Sequence, residues 1–423
     1  MKIMIAALLA AASCASMAQA QQQRISADPS APILTLEEAI ASAGGAAPSV
    51  EAADAGIQAA QANRTVAGLR PNPEAQVQVE NVLGSGPYSA LKSAETTMGI
   101  AVPIELGGKR GARMAVAHAQ LSRAELEAAV AKADIRLQVT SLYIEAIAAD
   151  RRLMTARDQL QIADSALKAA RIRVQAGRAS PLEEQRADVA RINASASVER
   201  AARLAEVARL NLERRLGQPI EGALDAALLD RLPVPSHGPM MPSSAAGTLT
   251  LAAANADLAV ADAGIRLARA NRVPDLNIGP AVRRLEATND TAAVFAVSIP
   301  IPLFNAGKAA VAQASAERSR VAAQRRMTAL DVEQAIADAQ AEAANAETSA
   351  RAAAGPALGA AQEAARIARI GYREGKFGQL DLLDAERTLA QTRVAAIDAL
   401  ANYHNARARL ERLTAPAPQE GEQ

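Results

Sequence analysis

Few residues in this chain could do chemistry. It holds three histidines and one cysteine. His118, His237 and His404 stand in distant segments, and only His237 lies near the Met240-Met241 pair. A metal centre needs three or four ligands at defined spacing, and one histidine with two thioethers in a proline-rich stretch is a weak set. These read as ordinary helix and loop residues, so no metal or other cofactor is expected. Gly107-Gly108-Lys109-Arg110 and Gly307-Lys308-Ala309 carry the glycine-lysine pair of a phosphate loop. Neither has Ser/Thr after the lysine or the earlier glycine at the right spacing, so both read as punctuation between strand and helix. No catalytic motif stands out, and no enzyme activity is expected. The remaining candidates are carboxylates at two turns, Glu183, Asp381 and Asp384. Acidic groups are favoured in the first turn of any helix, where they meet its dipole. On the residues alone, that is the default reading.

The elements that carry these turns come from a duplication. Residues 53–64 read ADAGIQAAQANR and residues 261–272 read ADAGIRLARANR, identical at nine of twelve positions. The match continues beyond each copy. After the first come Pro73, Val77 and Val79, then Met98, Ile100, Val102, Pro103 and Ile104, then Gly108-Lys109. After the second come Pro274, Leu276 and Ile278, then Phe295, Val297, Ile299, Pro300 and Ile301, then Gly307-Lys308. Met98–Ile104 and Phe295–Ile301 superpose at an offset of 197, apolar on apolar. One unit is therefore used twice, in the order helix, strand, strand, long helix, return helix.

Local signals place its parts. Thr35 precedes Glu38 by three, as in a capping box that opens a helix. Gly44 to Pro48 interrupts that helix, and Pro71 and Pro73 end it. Ala75 to Val82 and Met98 to Ile104 alternate apolar with polar or small residues. That pattern fits a half-buried soluble sheet, and equally a barrel with lipid outside and water inside. Two strands per repeat make four, too few to close, and lipid does not tolerate an open edge. The membrane reading therefore demands an oligomer, and three chains would give twelve strands. On that reading Met98, Ile100, Val102, Phe295, Val297 and Ile299 face lipid.

From Gly111 to Gly177 there is no proline, and the 66-residue span is about 100 Å of helix. Leu153, Leu160, Leu167 and Val174 step by seven, with Ala156, Ala163 and Ala170 three after each leucine. Alanine at the alternate seam position lets a partner helix approach closely. The second repeat has the same span, with Gly355-Pro356 breaking it partway. Gly177 and Gly375 are the left-handed residues that a helix reversal wants, and Pro181 stands near the next helix start.

Composition and address narrow the classes. Residues 1–20 form an export signal: Lys2, the apolar run Ile3 to Ala12, and the small-x-small pattern Ala18-Gln19-Ala20. The run is too short to span a bilayer. A rival reading makes Cys14 a lipidated N-terminal cysteine, though the leucine usual three residues earlier is missing. Without Lys2 the chain carries 45 basic and 45 acidic residues, so no basic surplus argues for nucleic acid. Aromatics are 2% and tryptophan is absent, poor material for a compact core but suited to long alanine-rich helices packed side by side. The chain thus divides into a signal (1–20) and a first repeat (21–216), with a β-hairpin at 72–104 and a helical hairpin at 111–216. An equatorial linker (217–247) leads to a second repeat (248–413), with a β-hairpin at 274–301 and a helical hairpin at 309–413. A disordered tail (414–423) closes it.

Several motifs accompany this order. They are Leu34-Thr35-Leu36-Glu37-Glu38-Ala39, Asn72-Pro73, Arg214-Arg215-Leu216-Gly217-Gln218-Pro219, and Tyr372-Arg373-Glu374-Gly375 through Asp381-Leu382-Leu383-Asp384. Together they resemble the outer-membrane factor family, the TolC-like exit ducts of tripartite pumps, over nearly all of the chain beyond the signal. Pro103 to Arg110 looks like the heavy-metal branch, the CzcC- and CusC-like channels. The resemblance implies a mainly α fold with a small β part: a homotrimer with a periplasmic α-barrel and a twelve-stranded transmembrane β-barrel, four strands per chain. It implies residence in the cell outer membrane, extending into the periplasm, as the passive exit duct of an efflux pump for heavy-metal cations. The implied partners are a periplasmic adaptor, an inner-membrane RND pump and outer-membrane lipid. Asp381, Asp384 and Glu183 then fall at the periplasmic aperture, and Gly177, Arg178, Gly375, Lys376 and Phe377 on the adaptor-docking turns. Phe377 departs from the family's polar or basic gate residue, and the aromatic girdle is thin. Alternatives are a drug-efflux or type I secretion duct and, in another class, a periplasmic helical-hairpin adaptor or scaffold.

Overall fold

A computed structural model describes residues 33–233 and 244–418. The signal with Cys14, the lead-in to residue 32, His237, Met240 and Met241, and residues 419–423 lie outside the described residues. Thr35 caps α1 (Leu36–Ala46) through the expected reciprocal pair: Glu38 N–H donates to Thr35 Oγ1 at 3.3 Å, and Thr35 N–H to Glu38 Oε2 at 2.9 Å. Ala47 is extended and Pro48 opens α2 (Pro48–Ala67), so the interruption falls where the glycines and proline put it. Next come β1 (Glu74–Glu80), β2 (Glu95–Ile104), the 67-residue α3 (Lys109–Gln175) and α4 (Pro181–Leu216). The second repeat gives α5 (Leu249–Ala270), β3 (Leu276–Leu285), β4 (Asp290–Ser298), α6 (Lys308–Ala352), α7 (Leu358–Arg373) and α8 (Gln379–Leu413).

Three expectations change in detail. Pro356 does not break its helix. Residues Ala353–Ala357 widen into a π-turn that passes directly into α7, because the wider turn accommodates a residue without an N–H. β2 begins at Glu95, three residues before Met98, while β4 stops at Ser298 ahead of Pro300 and Pro302. Ile299, expected on the lipid-facing strand, therefore lies just beyond it. Of the tail, residues 414–418 are not free. Leu249 N–H donates to Ala415 O at 3.0 Å and Ala417 N–H to Gly247 O at 2.9 Å.

The described chain forms two compact units. One comprises residues 33–50, 132–233 and 335–413. Its main cluster joins Ala39 and Ala43 of α1, Val139, Tyr143, Ile144 and Ile147 of α3, Leu212 and Leu216 of α4, and Ile397 and Ala401 of α8. Linker residues Ile220, Leu224 and Leu229 complete it, so the described part of the linker is packed, not loose. Farther along, Ala163, Leu167 and Ala170 of the heptad seam are buried, the last two against Ala187 of α4. The other unit comprises Glu51–Ala131, Ser244–Gln334 and 414–418, and holds one antiparallel sheet in the order β1-β2-β3-β4.

Tyr143 ties the first cluster together. Its ring is fully buried, its hydroxyl donates to Leu34 O at 2.5 Å, and it accepts the Asp225 N–H at 2.9 Å. Burial pushes its phenol pKa up, so the hydroxyl keeps its proton. Removing it strands two backbone groups away from water. Tyr143→Phe should cost about 1–3 kcal/mol and speed amide exchange at Asp225. Thermal unfolding with hydrogen exchange checks this, and an unchanged melting curve would contradict it.

Candidate lipid face and turn cluster

The sheet sorts its side chains by register. Val77 pairs with Met98, Met98 with Val282, and Val282 with Ala293. Val102 pairs with Ile278, and Ile278 with Val297, while Phe295 stands opposite Pro280. Side chains alternate between faces along each strand, so these residues share one side. Met98, Ile100, Val102, Phe295 and Val297 are exposed there, as are Val77 and Val79 of β1. Five of the six residues expected to face lipid thus lie on one continuous apolar face, and Ile299 extends it past the strand end.

The opposite face is polar or small. Near its far end Arg283 joins three acceptors: Thr97 Oγ1 at 3.0 Å, Glu95 Oε2 at 2.8 Å and Glu80 Oε2 at 3.2 Å. Toward the middle it is crowded. A Cβ on Gly99 would stand 2.5 Å from the Ala281 Cβ, and Ala101 is buried. Sequence reading missed the Arg283 cluster, because only strand register reveals that Glu80, Glu95 and Arg283 share a side.

In the other unit the two helix reversals repeat one geometry. Gly177 (φ +69°) and Gly375 (φ +72°) adopt the left-handed conformation, where L side chains are strained. Each turn closes with the same wide bond: Arg178 N–H donates to Arg173 O and Lys376 N–H to Gly371 O, both at 2.8 Å. Arg178, Lys376 and Phe377 are exposed at these tips. The turns also meet, since the buried Gln379 donates from Nε2 to Glu183 O at 3.0 Å.

The expected carboxylates lie in three different settings. Asp381 is exposed and its Oδ2 accepts the Gly378 N–H at 2.9 Å, which is helix capping. Asp384 pairs with Arg387 at 2.9 Å, both side chains largely in solvent. Glu183 is half-buried, and its Oε2 is a buried atom without a partner. Asp381 and Asp384 share the exposed start of α8, and Gln379 links that start to the backbone of Glu183. Beneath the tips Arg369 forks onto Glu386, whose side chain is 3% exposed, and the Arg173 guanidinium lies 4.9 Å from the Tyr372 ring centre. Arg369, Tyr372 and Glu386 line a cavity of about 1090 Å³ among α3, α4, α7 and α8. Alanines and the Arg369–Glu386 pair share its lining, so small side chains and charge both take part where the hairpins meet. Of the histidines, His404 contacts Leu229 O at 3.1 Å and the Tyr403 ring edge-on, with its pKa lowered by burial. No group of three or more metal-capable side chains occurs among the described residues.

Comparison with known proteins points the same way. The model of the outer membrane efflux protein family matches residues 39–218 and 242–415. The chain belongs to that family. Within it, the chain is 28% identical over 386 residues to the cobalt-zinc-cadmium resistance protein CzcC of Cupriavidus metallidurans, covering 90% of each. It is 31% identical over 293 residues to the nickel and cobalt resistance protein CnrC of the same organism, covering 69% of this chain and 68% of that one. The open state of the Neisseria gonorrhoeae MtrE outer membrane channel superposes with a TM-score of 0.74 at 22% identity, covering 90% of this chain and 88% of that one. That last likeness is one of fold. The mainly α class with its small antiparallel sheet and the similarity to the heavy-metal branch both hold.

One glycine without any signal in the sequence shapes the second turn. A Cβ on Gly371 would lie 2.1 Å from Phe377 Cδ2, so the aromatic ring rests directly on the missing side chain. Gly371→Ala should unseat Phe377 and destabilise the turn by about 1–3 kcal/mol, despite alanine's better helix propensity. Gly371→Ala/Phe377→Ala should recover most of that loss, as followed by proteolysis at the turn. No recovery would mean the ring is not what the glycine accommodates.

Proposed function

We propose that three copies of this chain form a passive duct through the outer membrane and periplasm, the exit component of an RND-type efflux pump for heavy-metal cations. The observation that carries it is the sheet: four strands, two open edges and a continuous exposed apolar face. In hydrocarbon every backbone N–H and C=O must be satisfied by the protein, which only a helix or a closed barrel achieves. Among the described residues no helix is long and apolar enough to cross a membrane, so the strands are what would meet lipid. Three chains supply twelve strands, with the apolar face outward and Arg283, Glu80 and Glu95 toward the lumen. The two hairpin tips, with Gly177, Arg178, Gly375, Lys376 and Phe377, are the ends offered to a periplasmic adaptor. The resistances for which CzcC and CnrC are named favour divalent metal cations over drugs or secreted proteins as cargo.

Two outcomes test this reading. Arginine at Ile100 or Val297 should cost about 2–4 kcal/mol of membrane assembly if the site lies near the midplane. Arginine at the exposed Ala296, on the opposite face, should be milder; Ala101 is too buried to serve as that control. Equal losses of assembled protein in outer-membrane fractions would mean the wrong face had been assigned to lipid.

The second concerns the mouth. Near a three-fold axis Asp381 and Asp384 place six carboxylates around one opening, attracting cations and repelling anions. Asp381→Ala/Asp384→Ala should alter single-channel conductance and weaken block by multivalent cations, with trimer assembly intact. Capping of Gly378 and pairing with Arg387 alone would cost only a little stability. Unchanged cation block in planar-bilayer recordings would end the gate assignment.

A further inference from the structure

We infer that the seam between copies, where β4 of one protomer meets β1 of the next, has one fixed register and is locked by an ion pair between Lys308 and Glu74 of the partner subunit. The inference deepens the trimeric reading above and rests on it. It adds the residues of the seam.

The pattern is visible once inside the chain, where the first repeat meets the second. Lys109, at the start of α3, places its Nζ 2.7 Å from Asp275 Oδ1, and the Leu106 N–H donates to the same oxygen at 3.1 Å. Asp275 stands just before β3. Gly107, at φ +71°, lets the backbone press against Val273 and the end of α5, where a Cβ would meet Val273 Cβ at 2.6 Å. The lysine is almost covered, its side chain 11% exposed.

The duplication supplies the lysine and the carboxylate again without their partners, with Ala306 where the first repeat has Gly107. Gly307-Lys308 repeats Gly108-Lys109, and Pro73-Glu74 repeats Pro274-Asp275. Lys308 and Glu74 are both exposed, and among the described residues neither makes an ion pair. Burial shows the same asymmetry on the duplicated helix. Ala263 and Ala270 of α5 are 0% and 9% exposed, whereas their counterparts Ala55 and Ala62 on α2 are exposed. The side chains are identical and the local helix is the same, so the difference is a missing neighbour. Around the gap lie exposed apolar side chains, Val66 and Leu69 on one side and Ile301, Leu303 and Phe304 on the other. Such a set is normally covered.

The occupant is given by the same symmetry. The end of the first repeat's β-hairpin, with the start of its long helix, covers α5 and Asp275. The second repeat's β-hairpin leads into the corresponding segment, Ile301 to Lys308, which rests on Arg272 at the end of its own α5 but, among the described residues, has no strand start or acidic partner matching Asp275 beneath it. The surface that fits the gap is therefore that segment from a second copy. Register can be carried over as well. β2 pairs with β3 as Met98↔Val282, Pro103↔Asn277 and Ile104↔Leu276. Shifting β2 to β4 and β3 to β1 by the repeat offsets puts Val297 opposite Val79, Ile299 opposite Val77 and Ser298 opposite Gln78. This register keeps apolar beside apolar on one face, whereas a one-residue slip would reverse it.

Disulfide trapping in the full chain, in native outer membranes, tests the seam. Ser298→Cys/Gln78→Cys places two thiols directly opposite on the polar face, within bridging distance for an antiparallel pair. Oxidation should give covalent dimers and trimers and stop there, with neither single variant doing so. Ala296→Cys/Gln78→Cys, displaced by two residues, should link far less. In parallel, Lys308→Glu or Glu74→Lys should lower the fraction of trimer surviving on an unheated gel, and Lys308→Glu/Glu74→Lys should restore it. Trimers that link preferentially at the displaced pair, or that ignore both single charge reversals, would overturn the seam and leave the trimeric reading standing. Chains that never exceed monomer size would remove the trimeric reading, and the seam with it.

Discussion

An unpaired strand edge is the constraint on which the rest of this protein turns. β1 and β4 each have a hydrogen-bonded neighbour on one side only. Water can satisfy such an edge, but hydrocarbon cannot, and the exposed face of this sheet is built from valine, isoleucine, methionine and phenylalanine. Natural proteins blunt open edges with charge, proline or bulges. Here Pro300 and Pro302 fall only after β4 has ended, and the ladder positions themselves stay free to pair. An edge left available beside an apolar face suits repetition around an axis better than solitary life in water.

The helical part answers a different problem, namely how to hold long helices together with almost no aromatic residues. Alanine at the seam positions brings backbones close, so many small contacts replace a few large ones. Two larger polar side chains are tied to backbone. Tyr143 bridges the strand-like entry at Leu34 and the linker at Asp225, and Arg151 binds both Asp230 and Ala226 O on the same linker. The linker is thereby fastened to α3 at more than one point. Near the tips the ion pair Arg369–Glu386 stands beside the buried cluster of Ala361, Ala365 and Leu389.

The turns show how one residue can serve local and assembled structure at once. Asp381 caps its own helix, which is reason enough for an acid at that position in a single chain. In the proposed trimer the same carboxylate repeats around the axis, and the local role does not exclude the collective one. Phe377 differs in kind. It rests on Gly371 and stays partly exposed, so this chain presents an apolar edge at the tip.

Much of this was legible in the residues. The repeat, the capping box at Thr35, the left-handed glycines at Gly177 and Gly375, and the strand alternation are local signals, because each depends on neighbours within a few positions. The alternation also identified which side chains share the apolar face. Other features needed the tertiary structure. The ends of β2 and β4 depend on partner strands, and Pro356 passes through a π-turn without ending its helix. Gln379 bridging to Glu183, Arg283 gathering Glu80 and Glu95, and Phe377 seated on Gly371 join residues or surfaces whose meeting no short-range pattern encodes. The sequence by itself determined that the chain is one unit used twice. Only the tertiary structure decided that the two uses are unequal, with Ala263 and Ala270 covered while Ala55 and Ala62 are bare, because burial belongs to neighbours in space and not to the residue type.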